Sequence, residues 1–305
     1  MSHLIDYAGL FPPANLPLEP AIRYYAAYQN SKDSWMLGRF IIPAARINEL
    51  DRYVSLFTPE RPLHCAVVGS KSSDKWDCLQ TIGADLDTTL SFCERHGDSV
   101  KVDVLEFALP PIVPDEGLLK IIGVKTAKRG MVAFCEIPLL SSSDWRRYLE
   151  ETLNAIAQHN ESNDSVLGFK LRTGGVTANA FPTPEQVAAA LIGCRDRGIP
   201  MKFTAGLHHP IRMYRAEVET KMYGFVNVFT AGMLAHKHHL TLLETEQILT
   251  EEEASHFSFT AEGLAWKDKS ILLSDIDKLR ATQLRSYGSC SFDEPREDLQ
   301  ALQIL

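Results

Sequence analysis

This chain lacks the marks of several protein classes. No stretch approaches about 18 consecutive apolar residues, which excludes a conventional membrane helix and gives no reason to expect a membrane partner. No basic, apolar and cleavage regions precede the first strand-like run at Leu4, so a signal peptide is not expected. There is no basic tract and the formal net charge is −8, so nucleic acid is not an expected partner. The six cysteines, at 65, 78, 93, 135, 194 and 290, never form Cys-x-x-Cys. They lie among apolar runs and read as reduced, mostly buried thiols of a cytoplasmic protein. A Gly-x-Gly-x-x-Gly after the first strand is missing, which weighs against an open dinucleotide-binding sheet. No Gly-x-Ser-x-Gly elbow occurs, so no serine-nucleophile triad can be assembled.

What is present is a repeated alternation. Apolar, β-rich runs occur at Leu4–Leu10, Trp35–Ile42, Leu63–Val68, Val102–Ala108, Met131–Ile137, Val166–Arg172, Met201–Ala205 and Phe225–Phe229. Amphipathic stretches near 18–30, 45–57, 74–96, 115–127, 143–159, 184–197 and 211–222 read as helices between them. Eight strand–helix repeats in 305 residues predict an α/β fold, a closed (β/α)₈ TIM barrel over residues 1–240. Residues 241–305 break the rhythm and read as an extension packed on the barrel, too small to stand alone. Within it Leu242–Glu253 reads as a helix and His256–Trp266 as a hairpin turning near Glu262-Gly263. Ser274–Leu284 and Pro295–Leu302 read as further helices, and Gly288-Ser-Cys-Ser291 as a surface turn, with a polar lid folded back over the pocket as the alternative.

Two lysines occupy matching places on successive strands. Lys170 lies in Ser165-Val-Leu-Gly-Phe-Lys-Leu-Arg-Thr-Gly-Gly175, and Lys202 in Pro200-Met-Lys-Phe-Thr-Ala-Gly206. Thr183-Pro184-Glu185-Gln186 opens the intervening helix as a capping box, and Gly198 before Ile199-Pro200 stops it. Side chains alternate along a strand, so Lys170 and Arg172 share one face while Phe169 and Leu171 share the other. Cations facing inward and apolar residues facing the helices mark a site rather than a core.

On such a barrel the active site lies at the C-terminal strand ends. That rule selects Asp6, Arg39, Glu106, Glu136, Lys170, Arg172, Lys202, His208, His209 and Asn227. Charged groups in apolar strands are rarely buried unless paired, so an internal salt-bridge network is the plain structural reading of any one of them. Thr204-Ala-Gly206 and Phe229-Thr-Ala-Gly232 add Gly206 and Gly232 at places where barrels bind phosphate, or where tight turns occur. The lysine pair has a mechanism available. Lowering an amine's pKa from about 10.4 by about three units takes roughly 4 kcal/mol. A second cation about 6 Å away supplies roughly 3 kcal/mol at an effective dielectric near 20. With Lys202 and Arg172 beside it, Lys170 could become a neutral nucleophile and form an imine, provided Glu136 does not cancel them. The rival reading keeps all three cations charged as a clamp for phosphate or carboxylate. Either reading implies a small anionic carbonyl compound as substrate.

Lys170-Leu-Arg-Thr-Gly-Gly, the Pro-Thr-Pro-Glu-Gln-Val helix start and Met201-Lys-Phe-Thr-Ala-Gly resemble the sixth and seventh strands of deoxyribose-phosphate aldolases. Met131-Val-Ala-Phe-Cys-Glu-Ile-Pro-Leu-Leu140 is similar to that family's fifth strand. The resemblance implies a class I aldolase on a TIM barrel, with Lys170 as the Schiff-base lysine, Lys202 tuning its pKa, and no cofactor. Arg172 departs from the family's small serine, and the His208-His209-Pro210 turn is foreign to it. The family's fourth strand supplies a proton-relay aspartate. Here Asp103 has the matching local context, but Glu106 three residues on should take the other face, and Glu106 is expected inward. Leu4–Ala14 and Gly206-Leu-His-His-Pro210 also resemble a bacterial and plant family with no established activity.

The leading reading is therefore an aldolase-like lyase without metal, with Lys170, Lys202, Glu136 and Glu106 as its catalytic set. A metal-assisted isomerase or hydrolase is the second, with Asp6, Glu106, Glu136 and one of His208 or His209 on a divalent ion. A third is a barrel that binds an anionic metabolite without turnover. A homo-oligomer is left open, because barrels often dimerise.

Overall fold

Short runs of branched and aromatic residues form strands here because each packs one face on helices and the other inside a closed sheet. The computed structural model describes all residues except 138 and 140–143. Its first half runs β1 (Ile5–Tyr7), α1 (Leu18–Tyr28), β2 (Leu37–Pro43), β3 (Leu63–Val68), α2 (Lys75–His96), β4 (Val100–Ala108), α3 (Glu116–Ala127) and β5 (Val132–Glu136). It continues through α4 (Trp145–Ser162), β6 (Leu167–Arg172), α5 (Pro184–Asp196), β7 (Met201–Thr204), β8 (Met213–Arg215), β9 (Thr220–Met222), α6 (Phe225–His238) and α7 (Leu242–Leu249). The chain ends with β10 (Phe257–Phe259), β11 (Gly263–Trp266), β12 (Lys269–Leu272), α8 (Leu273–Thr282), β13 (Leu284–Ser289) and α9 (Asp293–Ala301).

Eight parallel strands close a barrel in the order β1-β13-β7-β6-β5-β4-β3-β2. Seven are the strands expected from sequence. The eighth is not Phe225–Phe229, which begins the buried helix α6, but β13. Phe225-Val-Asn-Val-Phe looks β-rich, yet the apolar run continues through Met233-Leu-Ala235, and a helix buried all round carries no period to betray it. Leu284-Arg-Ser-Tyr-Gly-Ser289 looks polar because its inward positions are Ser286 and Gly288. The boundary at residue 240 is corrected accordingly, since residues 284–289 hydrogen-bond to both β1 and β7. Residues 211–222 form the hairpin β8–β9 rather than a helix. The hairpin expected at 256–266 gains a third strand and becomes the antiparallel sheet β10-β11-β12. Pro138 and Leu140, in the stretch compared with the aldolases' fifth strand, lie outside the described residues.

The capping box opens α5 as expected: Gln186 N–H donates to Thr183 Oγ1 at 3.2 Å, and Thr183 N–H to Gln186 Oε1 at 2.8 Å. Phe169, Leu171, Met201 and Phe203 point outward into the main core against the helices. Inside the barrel a smaller apolar cluster of Ala8, Ile41, Ala66, Val104 and Phe134 forms the middle layer. On β4 the register slips between Cys65↔Val102 and Ala66↔Val104, leaving Asp103 as an extra residue. This bulge lets Asp103 and Val104 both face the lumen. The expectation that only one of Asp103 and Glu106 points inward is corrected by it: both do, at different heights.

Candidate active site

The register of three neighbouring strands sets the site. Glu136 on β5 pairs with Lys170 on β6, which pairs with Lys202 on β7, so the three lie side by side at one level. Lys170 Nζ is 2.9 Å from Glu106 Oε2 and 3.0 Å from Glu136 Oε2. Lys202 Nζ contacts Glu106 Oε1 and lies 2.5 Å from Asp6 Oδ2. Asp6 also accepts from Ser286 Oγ at 2.6 Å and from the Arg39 backbone N–H at 2.6 Å. Gly38 is needed at that approach, because a Cβ there would sit 2.1 Å from Asp6 Oδ1. Arg172 Nε reaches Glu136 at 3.4 Å from the exposed end.

Charges thus alternate along a chain from the barrel interior to its mouth: Asp6, Lys202, Glu106, Lys170, Glu136, Arg172. The six formal charges cancel, which is what makes their burial tolerable. Burial works against the ammonium of Lys170, but Glu106 and Glu136 outweigh it and raise its pKa above that of a free lysine. Burial likewise opposes the Glu106 carboxylate, but Lys202 and Lys170 hold its pKa down at about 2. Glu136 is lowered against the same burial by Lys170 and then Arg172. The condition attached to a neutral Lys170 is therefore not met in this arrangement. Lys202 cannot act as a bare neighbouring cation when Asp6 and Glu106 both contact it.

Lys170, Glu106, Glu136, Arg172, Gly206 and His208 line one pocket of about 380 Å³ at the C-terminal strand ends. Lys202 does not line it, being shut behind Glu106. His208 Nδ1 lies 3.6 Å from Cys290 Sγ and 3.4 Å from Glu294 Oε2. Burial disfavours its cation, but Cys290 and Glu294 prevail and lift its pKa to about 9. Gly206 adopts a φ of +72°, and its bare Cα admits the Gly174 backbone, which a Cβ would meet at 2.9 Å.

Besides Lys202 and Asp6, which stay in the buried ion-pair chain beneath it, four expected site residues are not brought to this pocket. His209 turns away to Asp298, 2.6 Å from Nδ1. Asn227 is buried on α6, accepting from Arg212 N–H and donating to the Ile248 and Glu251 carbonyls. Gly232 lies on the same helix, packed against Leu284. Both misplacements follow from reading α6 as a strand. Arg39 lies at the opposite end of the lumen, bidentate to Asp103 at 2.6 and 2.9 Å. Because the carboxylates are taken up by lysines and the histidines by α9, the carboxylate–histidine metal set of the second reading does not assemble. Among the described residues no group of three His, Cys, Asp or Glu is arranged to hold a metal ion.

Three contributors were missed. Lys71, in the loop after β3, lines the pocket, and the strand-end rule applied to the third strand would have found it. Ser286 and Cys290 were hidden with the unrecognised β13. Among the described residues no helix is long and apolar enough to cross a membrane.

No family model and no curated protein matches the chain. Among solved structures it is similar to an apo-form candidate deoxyribose-phosphate aldolase from Toxoplasma gondii ME49, with TM-score 0.43 and 9% identity over 98% of this chain and 93% of that one. A second structure of a candidate deoxyribose-phosphate aldolase from the same organism gives TM-score 0.40 and 9% identity over 99% and 91%. The barrel and its site stand on their own geometry.

Proposed function

We propose that the protein is an aldolase-like lyase that forms an imine between Lys170 and a small anionic carbonyl compound. The observation that carries this reading is an amine lining the pocket with carboxylate oxygens at 2.9 and 3.0 Å. One carboxylate takes a proton from Lys170, and the amine adds to the carbonyl carbon. The protonated carboxyl returns that proton to the new alkoxide. The carboxylate then passes a second proton from the nitrogen to the hydroxyl, which leaves as water to give the iminium. A carboxylate then takes the proton of a hydroxyl on the β-carbon, and the α–β carbon–carbon bond breaks into a released aldehyde and an enamine. The carboxyl protonates the enamine carbon, and hydrolysis of the iminium releases the second product and restores the amine. Lys71, Arg172 and cationic His208 around the pocket favour an anionic group on the substrate.

Deprotonation is a real cost. Above a pKa of about 10.4, freeing the amine at pH 7 takes at least about 4.6 kcal/mol. Positioning of bound reactants is worth about 7–11 kcal/mol, so the step stays within reach. The same ion pairs favour a second reading, a barrel that binds an anionic metabolite through cations without turnover.

Borohydride trapping with a pool of small aldehydes, ketones and keto acids tests the choice. A reduced adduct on Lys170, found by peptide mass spectrometry and absent in Lys170→Ala, is expected. Adducts scattered over surface lysines would sink the imine and leave the binding reading.

A further inference from the structure

The barrel has a second cavity, of about 350 Å³, at the N-terminal end of its strands. That end of a (β/α)₈ barrel ordinarily serves stability. Here it is lined by Arg39, Lys202 and Arg285 against a single carboxylate, Asp103. Lys202 is already met by Asp6 and Glu106. Arg39 uses Nε and Nη2 on Asp103, and His64 Nε2 also contacts that carboxylate at 2.9 Å. Arg285 is the cation left over. Its Nη1 donates to the Ala281 carbonyl, and among the described residues it has no ion-pair partner. A half-buried arginine without an anion is costly, and a second guanidinium facing the same lumen, even one paired to Asp103, adds repulsion. Burial first and repulsion from Arg39 second lower the pKa of Arg285, and attraction to Asp103 and Asp6 offsets them only in part.

We propose that this floor cavity binds a small multivalent oxyanion, a phosphate or a dicarboxylate, held between Arg285 and the free edge of Arg39. Planar guanidinium forks match such groups two oxygens at a time. The volume falls within the range of small-molecule sites. The inference is independent of the imine chemistry, since Lys170 opens on the other cavity.

Calorimetric titration of the full chain with inorganic phosphate, and separately with malonate, tests it and tells the two anion sources apart. Arg172→Ala, which alters the upper pocket, should retain a binding event that Arg285→Gln weakens at least tenfold, with Arg285→Lys between them. Phosphate should also protect Arg285 of the wild-type protein from phenylglyoxal, a readout that needs no variant to fold. Unchanged binding in a folded Arg285→Gln protein, or equal labelling of Arg285 with and without both anions, overturns the proposal.

Discussion

The ammonium of Lys170 lies 2.9 Å from Glu106 Oε2, and 7% and 2% of the two side chains remain exposed. Because the other oxygen of Glu106 takes Lys202, one carboxylate bridges both lysines. An amine held this way rests charged, and any chemistry it does begins with a proton transfer inside the cluster.

Removing that carboxylate should be expensive. Glu106→Gln leaves two buried ammoniums short of an anion, and breaking such a pair costs about 3–5 kcal/mol. Glu106 has a folded pKa of about 2 against 4.5 for the free group, so its contribution is present above pH 4.5 and lost as pH falls toward 2. Urea unfolding of wild type and variant should show the full gap at pH 7, narrowing below pH 4.5. A gap independent of pH would contradict the pairing.

Lys202→Leu should release Glu106 to act on Lys170 alone. Lys170 then becomes more strongly protonated, and each added pKa unit means about tenfold less free amine. Borohydride trapping on Lys170 is expected to slow at pH 7 and recover as pH rises past 10. Trapping that stays unchanged at both pH values would remove Lys202 from the tuning role.

His208 offers an opposite pH signature. Its folded pKa of about 9 exceeds the ordinary 6.5, so its stabilisation is complete below pH 6.5 and disappears as pH rises through 9. The melting temperature of His208→Gln should fall below wild type at pH 6 and meet it above pH 9. Parallel curves across that window would rule out a charged latch between His208 and Glu294.

Barrel closure can be tested by truncation. A chain ending at residue 240 lacks β13, so β1 and β7 each lose their parallel neighbour. Thermal unfolding of this fragment should show no cooperative transition, whereas the full chain shows one. A cooperative melt from the fragment would mean the barrel closes without β13.

The amino-acid sequence by itself determined the parts that depend on neighbours along the chain. Period-two alternation in Gly168–Arg172 and Met201–Thr204 set which faces carry the lysines, and Thr183 with Gln186 marked where α5 begins. Parallel strands separated by helices implied a barrel. Only the tertiary structure decided which segment closes it, because β13 carries Ser286 and Gly288 on its inner face and earns its place by hydrogen bonds to strands far away in sequence. It likewise decided the charge states. Glu106 is 96 residues from Lys202, and no local pattern states that both lysines share it. The bulge at Asp103 turned a residue expected to face outward into the floor of a second cavity. Proton affinity inside a barrel is set by the groups that closure brings within about 3 Å, where Coulomb energies are large, and closure is a property of the whole chain.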